Sequence, residues 1–287
     1  MTKGIIIFAQ NNDYVDYVKI SCASAGYARK YLSGFDEICL ITDESSLNEN
    51  RKLVDCYFDR TIVIPKSTDS TMRKYRDTIK NVEGAPFINK SRSDVYSLSP
   101  YDETLVIDCD YFIMTDQLDG VWGSRNDFMI TKDFTDISQT KTSNTARLND
   151  ISIDMYWATV IYFRKCEFSS NLFKLVNHIK NNYRYYYNLY KCDVALYRND
   201  HTFSIALHIL NGEVNAIVPN LPFNKLVNSF DTDQILRVDG PDNIVMITAK
   251  NRTVRNIVRL QRSDLHIMNK RSIIKHLDSF FENGITL

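Results

Sequence analysis

Tyr101-Asp102-Glu103-Thr104-Leu105-Val106-Ile107-Asp108-Cys109-Asp110-Tyr111-Phe112 is the stretch on which the reading of this chain turns. Thr104 to Ile107 is a short apolar run rich in β-branched residues. It lacks the polar alternation of a one-sided sheet, so it reads as a strand covered on both faces. The run leads directly into two carboxylates two residues apart. In extended backbone, residues i and i+2 share a side, so Asp108 and Asp110 are expected to face one point in space and Cys109 to face away. A few oxygen ligands, completed by water and phosphate oxygens, are what Mg²⁺ or Mn²⁺ prefers when it bridges a diphosphate.

Upstream, Ile5-Ile6-Ile7-Phe8 is a second buried-strand run that opens into the polar cluster Gln10-Asn11-Asn12. From Asp13 to about Leu32 the apolar residues recur at helical spacing, and Gly34 breaks the pattern. Glu37 to Ile41 and Phe58 to Ile64 read as further strands, the first followed by the polar stretch Thr42 to Asn50 and the second stopped by Pro65. The first third is therefore β-α-β-(α)-β, the rhythm of a nucleotide-binding α/β domain with a parallel sheet. In such sheets ligands gather at the carboxyl ends of strands, here Gln10 to Asp13 and Thr42-Asp43.

Beyond Pro65 the pattern predicts a helix around Thr71 to Val82 and a short helix over Ser91 to Ser97 that Pro100 ends. In the second half, Met155 to Phe163 and Asn243 to Thr248 read as strands, and Asn171 to Lys180 and Asp200 to Leu210 as helices. Thr135 to Asn149 holds almost no large apolar residues and reads as a surface loop. Two halves are expected: residues 1–115, ending in the Asp-x-Asp, and residues 116–287.

The 287 residues are 44% hydrophobic and 24% charged, an ordinary globular composition that excludes disorder of the whole chain. Thirty-five basic and thirty-five acidic side chains cancel, which argues against a broad cationic surface while leaving room for a local patch. The six cysteines are scattered without a Cys-x-x-Cys pair and read as reduced, cytosolic side chains, so a cytoplasmic location is expected. The apolar run Ile5 to Ala9 is too short for a secretory core or a membrane span, and no later run is longer, so no membrane insertion is expected.

An Asp-x-Asp ending a buried strand, about a hundred residues into a chain that opens β-α-β, resembles the GT-A class of glycosyltransferases. The resemblance implies an α/β fold with a Rossmann-like nucleotide-binding half and an acceptor half around one mixed, mostly parallel sheet. It also implies a nucleotide-diphosphate sugar as donor, a UDP-sugar first, and Mn²⁺ or Mg²⁺ as cofactor. Three more segments carry it. Lys90-Ser91-Arg92-Ser93-Asp94 stands where the family has a basic residue on the donor phosphates, a role matched to Arg92 before Lys90. Ser263-Asp264-Leu265-His266-Ile267-Met268-Asn269-Lys270 is similar to the family's late His and Lys element. His266 would complete the metal shell with Asp108 and Asp110, and Lys270 would meet the departing diphosphate. This element lacks the Gly between His and Lys and the Pro-Trp after it. Arg198-Asn199-Asp200-His201-Thr202 resembles the acidic helix start beneath the acceptor. There Asp200 would orient or deprotonate the acceptor hydroxyl, and it suits an inverting base or a retaining scaffold; a plain N-terminal helix cap fits the same residue. The resemblance places the nucleoside on the amino-terminal half, with Phe8, Ala9, Asn11, Tyr14 and Asp43 as base and ribose contacts.

For the acceptor, Met155 to Phe163 resembles the strand bordering the acceptor cleft, with Trp157 and Thr159 either touching acceptor or belonging to the core. Tyr183 to Lys191 interleaves aromatic and basic residues, and Arg252, Arg255, Arg259, Arg262 and Arg271 form a basic group near His266. These patterns suit stacking beside phosphates, and equally suit half-buried tyrosines and arginines paired with acids. Richness in Asn, Ile, Lys and Tyr gives the chain the style of glycosyltransferases of T-even-type tailed phages, which glucosylate or arabinosylate hydroxymethylated DNA bases. That resemblance makes double-stranded DNA carrying such bases the first acceptor and partner. The alternatives are transfer to a glycan, a lipid-linked sugar or a protein, a nucleotide-sugar-binding protein without turnover, and a nucleotidyltransferase. The last usually carries a Gly-rich loop after its first strand, which Phe8 to Asp13 lacks. The oligomeric state is left open.

Overall fold

A computed structural model describes residues 1–66, 71–76, 82–87, 90–138, 142–143, 147–149, 151–192, 196–214, 218–223, 225–249 and 255–284. In chain order the amino-terminal part contains β1 (Lys3–Phe8), α1 (Tyr17–Tyr31), β2 (Glu37–Thr42), α2 (Glu44–Tyr57) and β3 (Arg60–Val63). It continues through β4 (Thr71–Arg76), β5 (Val82–Phe87), a 3₁₀ turn (Lys90–Asp94), α3 (Val95–Leu98), β6 (Glu103–Asp108) and β7 (Tyr111–Phe112). The next segment holds a 3₁₀ turn (Gln117–Val121), β8 (Phe128–Thr131), β9 (Phe134–Asp136), β10 (Thr142–Ser143), β11 (Trp157–Arg164), α4 (Glu167–Asn181), α5 (Tyr183–Leu189) and α6 (Asn199–Leu210). The last holds β12 (Leu226–Ser229), β13 (Gln234–Val238), β14 (Asn243–Ala249), β15 (Arg255–Gln261), β16 (Leu265–Ile267), α7 (Lys270–Lys275) and α8 (Leu277–Gly284).

The expected α/β class with one mixed, mostly parallel central sheet is what is found. Its order is β3-β2-β1-β6-β11-β8; the first four strands run parallel, β11 is antiparallel to both its neighbours, and β8 at the edge runs in the direction of the first four. From β1 the chain builds outward through β2 and β3, then crosses back to lay β6 on the other side of β1. The crevice between β1 and β6 at their carboxyl ends is thus a topological switch point, where open α/β sheets bind ligands. Phe8 and Asp108, the last residues of these two strands, stand directly opposite each other in that register.

The continuous apolar runs have their physical reason in this arrangement. Ile5, Ile6 and Ile7 are all inaccessible, because helices cover the sheet on both faces. Each such side chain contributes about 1.5–3 kcal/mol by leaving water. On the α1 side, Tyr27 packs edge-on against Phe112 at 5.4 Å and Phe112 stacks on Phe280 of α8 at 4.3 Å. On the other side, Phe173 of α4 packs edge-on against both Phe163 of β11 and Phe203 of α6.

A second sheet of five short strands, ordered β10-β9-β12-β16-β7, lies beyond the end of β6. A third, antiparallel sheet contains β13, β14 and β15. Among the described residues, no helix is long and apolar enough to cross a membrane.

Two sequence expectations are overturned. Where a helix is expected over Thr71 to Val82, the described residues are strand: Thr71–Arg76 is β4 and pairs antiparallel with β5, which begins at Val82, residues 77–81 lying outside the described set. Thr135 to Asn149 is not simply a surface loop, because Phe134–Asp136 is built into the second sheet between β10 and β12, and Leu148 is buried. In both places strand pairing supplies an order that the local apolar pattern does not encode.

Candidate metal centre and donor site

Asp108 closes β6, and the chain then turns through Cys109 and Asp110 before re-entering a sheet at Tyr111. The extended geometry expected for Asp-x-Asp therefore ends at its first residue. The convergence survives because the turn is clamped from the other side: the Ile267 amide of β16 donates to the Asp110 carbonyl at 2.9 Å. That contact brings β16 and its His266 against the carboxylate pair.

One ligand atom each from Asp108, Asp110 and His266 lies within 4.8 Å of the other two. His266 Nε2 is 3.3 Å from Asp110 Oδ2 and 3.8 Å from Asp108 Oδ2. The Asp110 side chain is 4% exposed and that of Asp108 29%, so the group is buried on one side and open on the other. Cys109 between them is buried, which pushes its thiol up to about 12.

Two cations complete the group. Arg92, in the 3₁₀ turn before α3, pairs through Nη1 with Asp108 Oδ1 and donates from Nη2 to the Thr159 carbonyl of β11 at 3.0 Å. Burial lowers its guanidinium to about 10, which leaves it charged at neutral pH. The turn is held to α4 by Lys180 Nζ and by Asn177, which exchanges two bonds with Ser93. Lys270 opens α7 and pairs through Nζ with Asp110 Oδ2. Its position is set by Asn269, whose Oδ1 caps the helix by accepting from the Ser272 amide at 3.0 Å and whose Nδ2 donates to the Asp233 carbonyl at 2.9 Å. Burial alone would raise the Asp110 carboxyl, but Lys270 and His266 outweigh it and hold the group well below the usual carboxylate range.

The donor set fits a hard divalent cation with one borderline ligand, two carboxylates and an imidazole, leaving positions for ligand oxygens on the exposed side of Asp108. One buried donor agrees with this. Among the described residues the buried Arg92 Nε has no hydrogen-bond partner, which leaves this donor beside Asp108 for an incoming oxygen atom.

The other sequence candidates are placed as follows. Asp200, in the first turn of α6, is half-buried and does not cap its helix. Its Oδ1 accepts from the Ala158 amide of β11 at 2.8 Å and its Oδ2 takes a two-pronged bond from Arg198 at 2.6 and 3.1 Å. Burial would raise this carboxyl, and Arg198 with the Ala158 amide more than offsets it, so Asp200 sits below the usual range. Trp157 is half-buried, edge-on to Phe134 at 4.7 Å with the Arg198 guanidinium 5.9 Å over its ring; Thr159 is buried.

Phe8 is half-buried beside Asp108, Ala9 is buried and donates its amide to Ile41, and Tyr14 is exposed. Asn11 and Asp43 are occupied internally. Asn11 Oδ1 accepts from the Val18 amide and its Nδ2 donates to Glu49, whereas Asp43 caps α2 by accepting from Ser45 and Ser46. Lys90 begins the 3₁₀ turn, its side chain outside the described set; Arg252 also lies outside it. Most of the aromatic run packs inward: Tyr186, Tyr187 and Tyr190 rest on the core, and Tyr183 bonds His201 at 2.7 Å.

One residue without any sequence signal belongs to the group. Asn228 of β12 stands opposite His266 in the parallel β12–β16 register, and its Oδ1 lies 3.0 Å from His266 Nδ1. Only the pairing of two short strands brings it there.

No family model matches the chain, and no curated protein matches it. Among solved structures it is similar to the glycosyltransferase GlyE of Streptococcus pneumoniae TIGR4, at 10% identity and a TM-score of 0.41, over 76% of this chain and 45% of that one. It is similar to the galactosyltransferase LgtC in complex with donor and acceptor sugar analogues, at 14% identity and 0.42, over 76% and 72%. It is also similar to 4-diphosphocytidyl-2C-methyl-D-erythritol synthase of Anaerococcus prevotii DSM 20548, at 12% identity and 0.39, over 76% and 87%. The chain thus spans less than half the length of GlyE.

Proposed function

We propose that this protein is a metal-dependent glycosyltransferase that moves a sugar from a nucleotide-diphosphate donor, a UDP-sugar first, to an acceptor hydroxyl. The observation that carries the reading is the convergence of Asp108, Asp110 and His266, each carboxylate backed by a buried cation, at the switch point of a mostly parallel sheet. Asp108, Asp110 and His266 would hold Mn²⁺ or Mg²⁺, which would supply Lewis-acid stabilisation of the diphosphate leaving group.

The chain's own residues do the rest. Lys270 and Arg92 present fixed positive charge in buried surroundings, where preorganised charge acts most strongly on a developing anion. Asp200, held by Arg198 and the Ala158 amide, orients or deprotonates the acceptor hydroxyl. Phe8, Ala9 and Tyr14 form the nucleoside side, with Asn11 and Asp43 shaping the loops that carry them.

The acceptor we favour is a hydroxymethylated base in double-stranded DNA of the tailed-phage type. Its support is a row of arginines on the β13–β15 sheet: Arg237 and Arg259 flank Val245 across three strands and share the one carboxylate of Asp239, and the exposed Arg255 follows two pleats on. Incubation with Mn²⁺, a panel of nucleotide sugars and DNA with or without hydroxymethylcytosine, followed by digestion to nucleosides and mass spectrometry, tests it. A hexose or pentose gain on hydroxymethylated nucleosides is expected. Turnover on glycan, lipid-linked sugar or protein acceptors alone would remove the DNA reading. Donor binding without any turnover would leave a nucleotide-sugar-binding protein.

A further inference from the structure

We infer that Asn228 is the positioning residue that fixes the His266 ring for cation binding; this rests on the metal-centre reading above. The side-chain carbonyl Oδ1 can only accept, and it lies 3.0 Å from His266 Nδ1, so Nδ1 carries the proton that Asn228 holds. The other nitrogen, Nε2, is the one turned to Asp110 Oδ2 at 3.3 Å and Asp108 Oδ2 at 3.8 Å. Rotating the ring about its bond to Cβ would sacrifice the Asn228 bond and swing Nε2 off the carboxylates. Histidine ligands are commonly oriented in this way by a partner on the far nitrogen.

The contact is built rather than incidental. Asn228 and His266 are register partners on neighbouring strands, and Asn228 is 4% exposed. Their backbones are pinned independently of the side chains. The Ile137 amide donates to the Asn228 carbonyl at 2.9 Å, Ser229 Oγ donates to the His266 carbonyl at 3.4 Å, and the Met268 amide donates to Ser229 Oγ at 3.2 Å. Removing the Asn228 carboxamide therefore frees the imidazole while leaving β12 and β16 paired. A carboxylate in its place keeps the acceptor and makes the imidazole a stronger ligand; a leucine of similar size removes the acceptor.

Mn²⁺ affinity, read from the free-ion signal in electron paramagnetic resonance titrations, tests this on the whole chain. Wild type, Asn228→Asp, Asn228→Leu, Asn228→Ala and His266→Ala are compared, with thermal melts in EDTA. Asn228→Leu and Asn228→Ala are expected to weaken Mn²⁺ binding by about 10- to 100-fold, with Asn228→Asp within about threefold of wild type. Leucine binding as well as wild type, or aspartate binding as poorly as leucine, would overturn the inference while a weakened His266→Ala upheld the metal centre. If His266→Ala binds like wild type, both fall. Should Asn228→Ala fail to fold, the size-matched aspartate and leucine pair decides alone.

Discussion

Lys270 and Asp110 make a buried ion pair in which each side chain is 4% exposed. Removing one partner strands the other charge away from water, so Lys270→Met is expected to cost about 3–5 kcal/mol in urea denaturation. The double variant Asp110→Asn with Lys270→Met should cost clearly less, because no uncompensated charge is left. A titration effect of known sign belongs to His201, which burial and the nearby Arg198 lower from 6.5 to about 4. Above pH 6.5 the ring is neutral in both folded and unfolded chains. As pH falls toward 4 the unfolded chain takes up a proton that the folded chain refuses, so stability drops. His201→Gln should flatten the decline in melting temperature between pH 7 and pH 5 relative to wild type. At this scale Asp108, Asp110 and His266 were legible, because chemistry restricts which residue types suit a metal. Asn228 was not, since nothing in its neighbours marks it, and Asn11 and Asp43 show why polar residues at strand ends deceive: the same oxygens that suit a ribose also cap a helix.

Secondary structure was legible where burial on both faces writes a continuous apolar run, as in β1, β2 and β6. Strands of two to four residues, such as β7, β9, β12 and β16, are too short to show a period, and partners from distant segments create them. The strand β4 was misread as helix because Thr71–Arg76 is largely polar and its alternation carries little apolar signal. Two elements yield predictions. Gly4 in β1 lies against the Tyr101 ring, where an added Cβ would stand 2.2 Å from the ring edge. Gly4→Ala should therefore lower stability by about 1–3 kcal/mol or more in thermal melts. Asn269→Ala removes the cap of α7 and should cost about 1 kcal/mol. It should also reduce transfer more than an equally destabilising surface change, because Lys270 begins that helix.

Across the whole molecule, balanced charge conceals a local asymmetry. Arg237 and Arg259 share Asp239, Arg255 lies beyond them, and β15 leads within a few residues to His266. If this face meets a polyanionic acceptor, Arg255→Glu with Arg259→Glu should weaken DNA binding and flatten its salt dependence in gel shifts, leaving Mn²⁺ affinity unchanged. The parallel sheet, its switch point and the carboxylate pair were all foreseeable from the first 112 residues. His266 and Lys270 were expected beside that pair only through the family resemblance, and it is the second sheet that physically joins them to it. That junction is best tested by diffraction from crystals grown with Mn²⁺ and UDP, using the anomalous signal of manganese. One peak bonded to Asp108, Asp110 and His266 is predicted; a peak elsewhere, or none, would contradict the account.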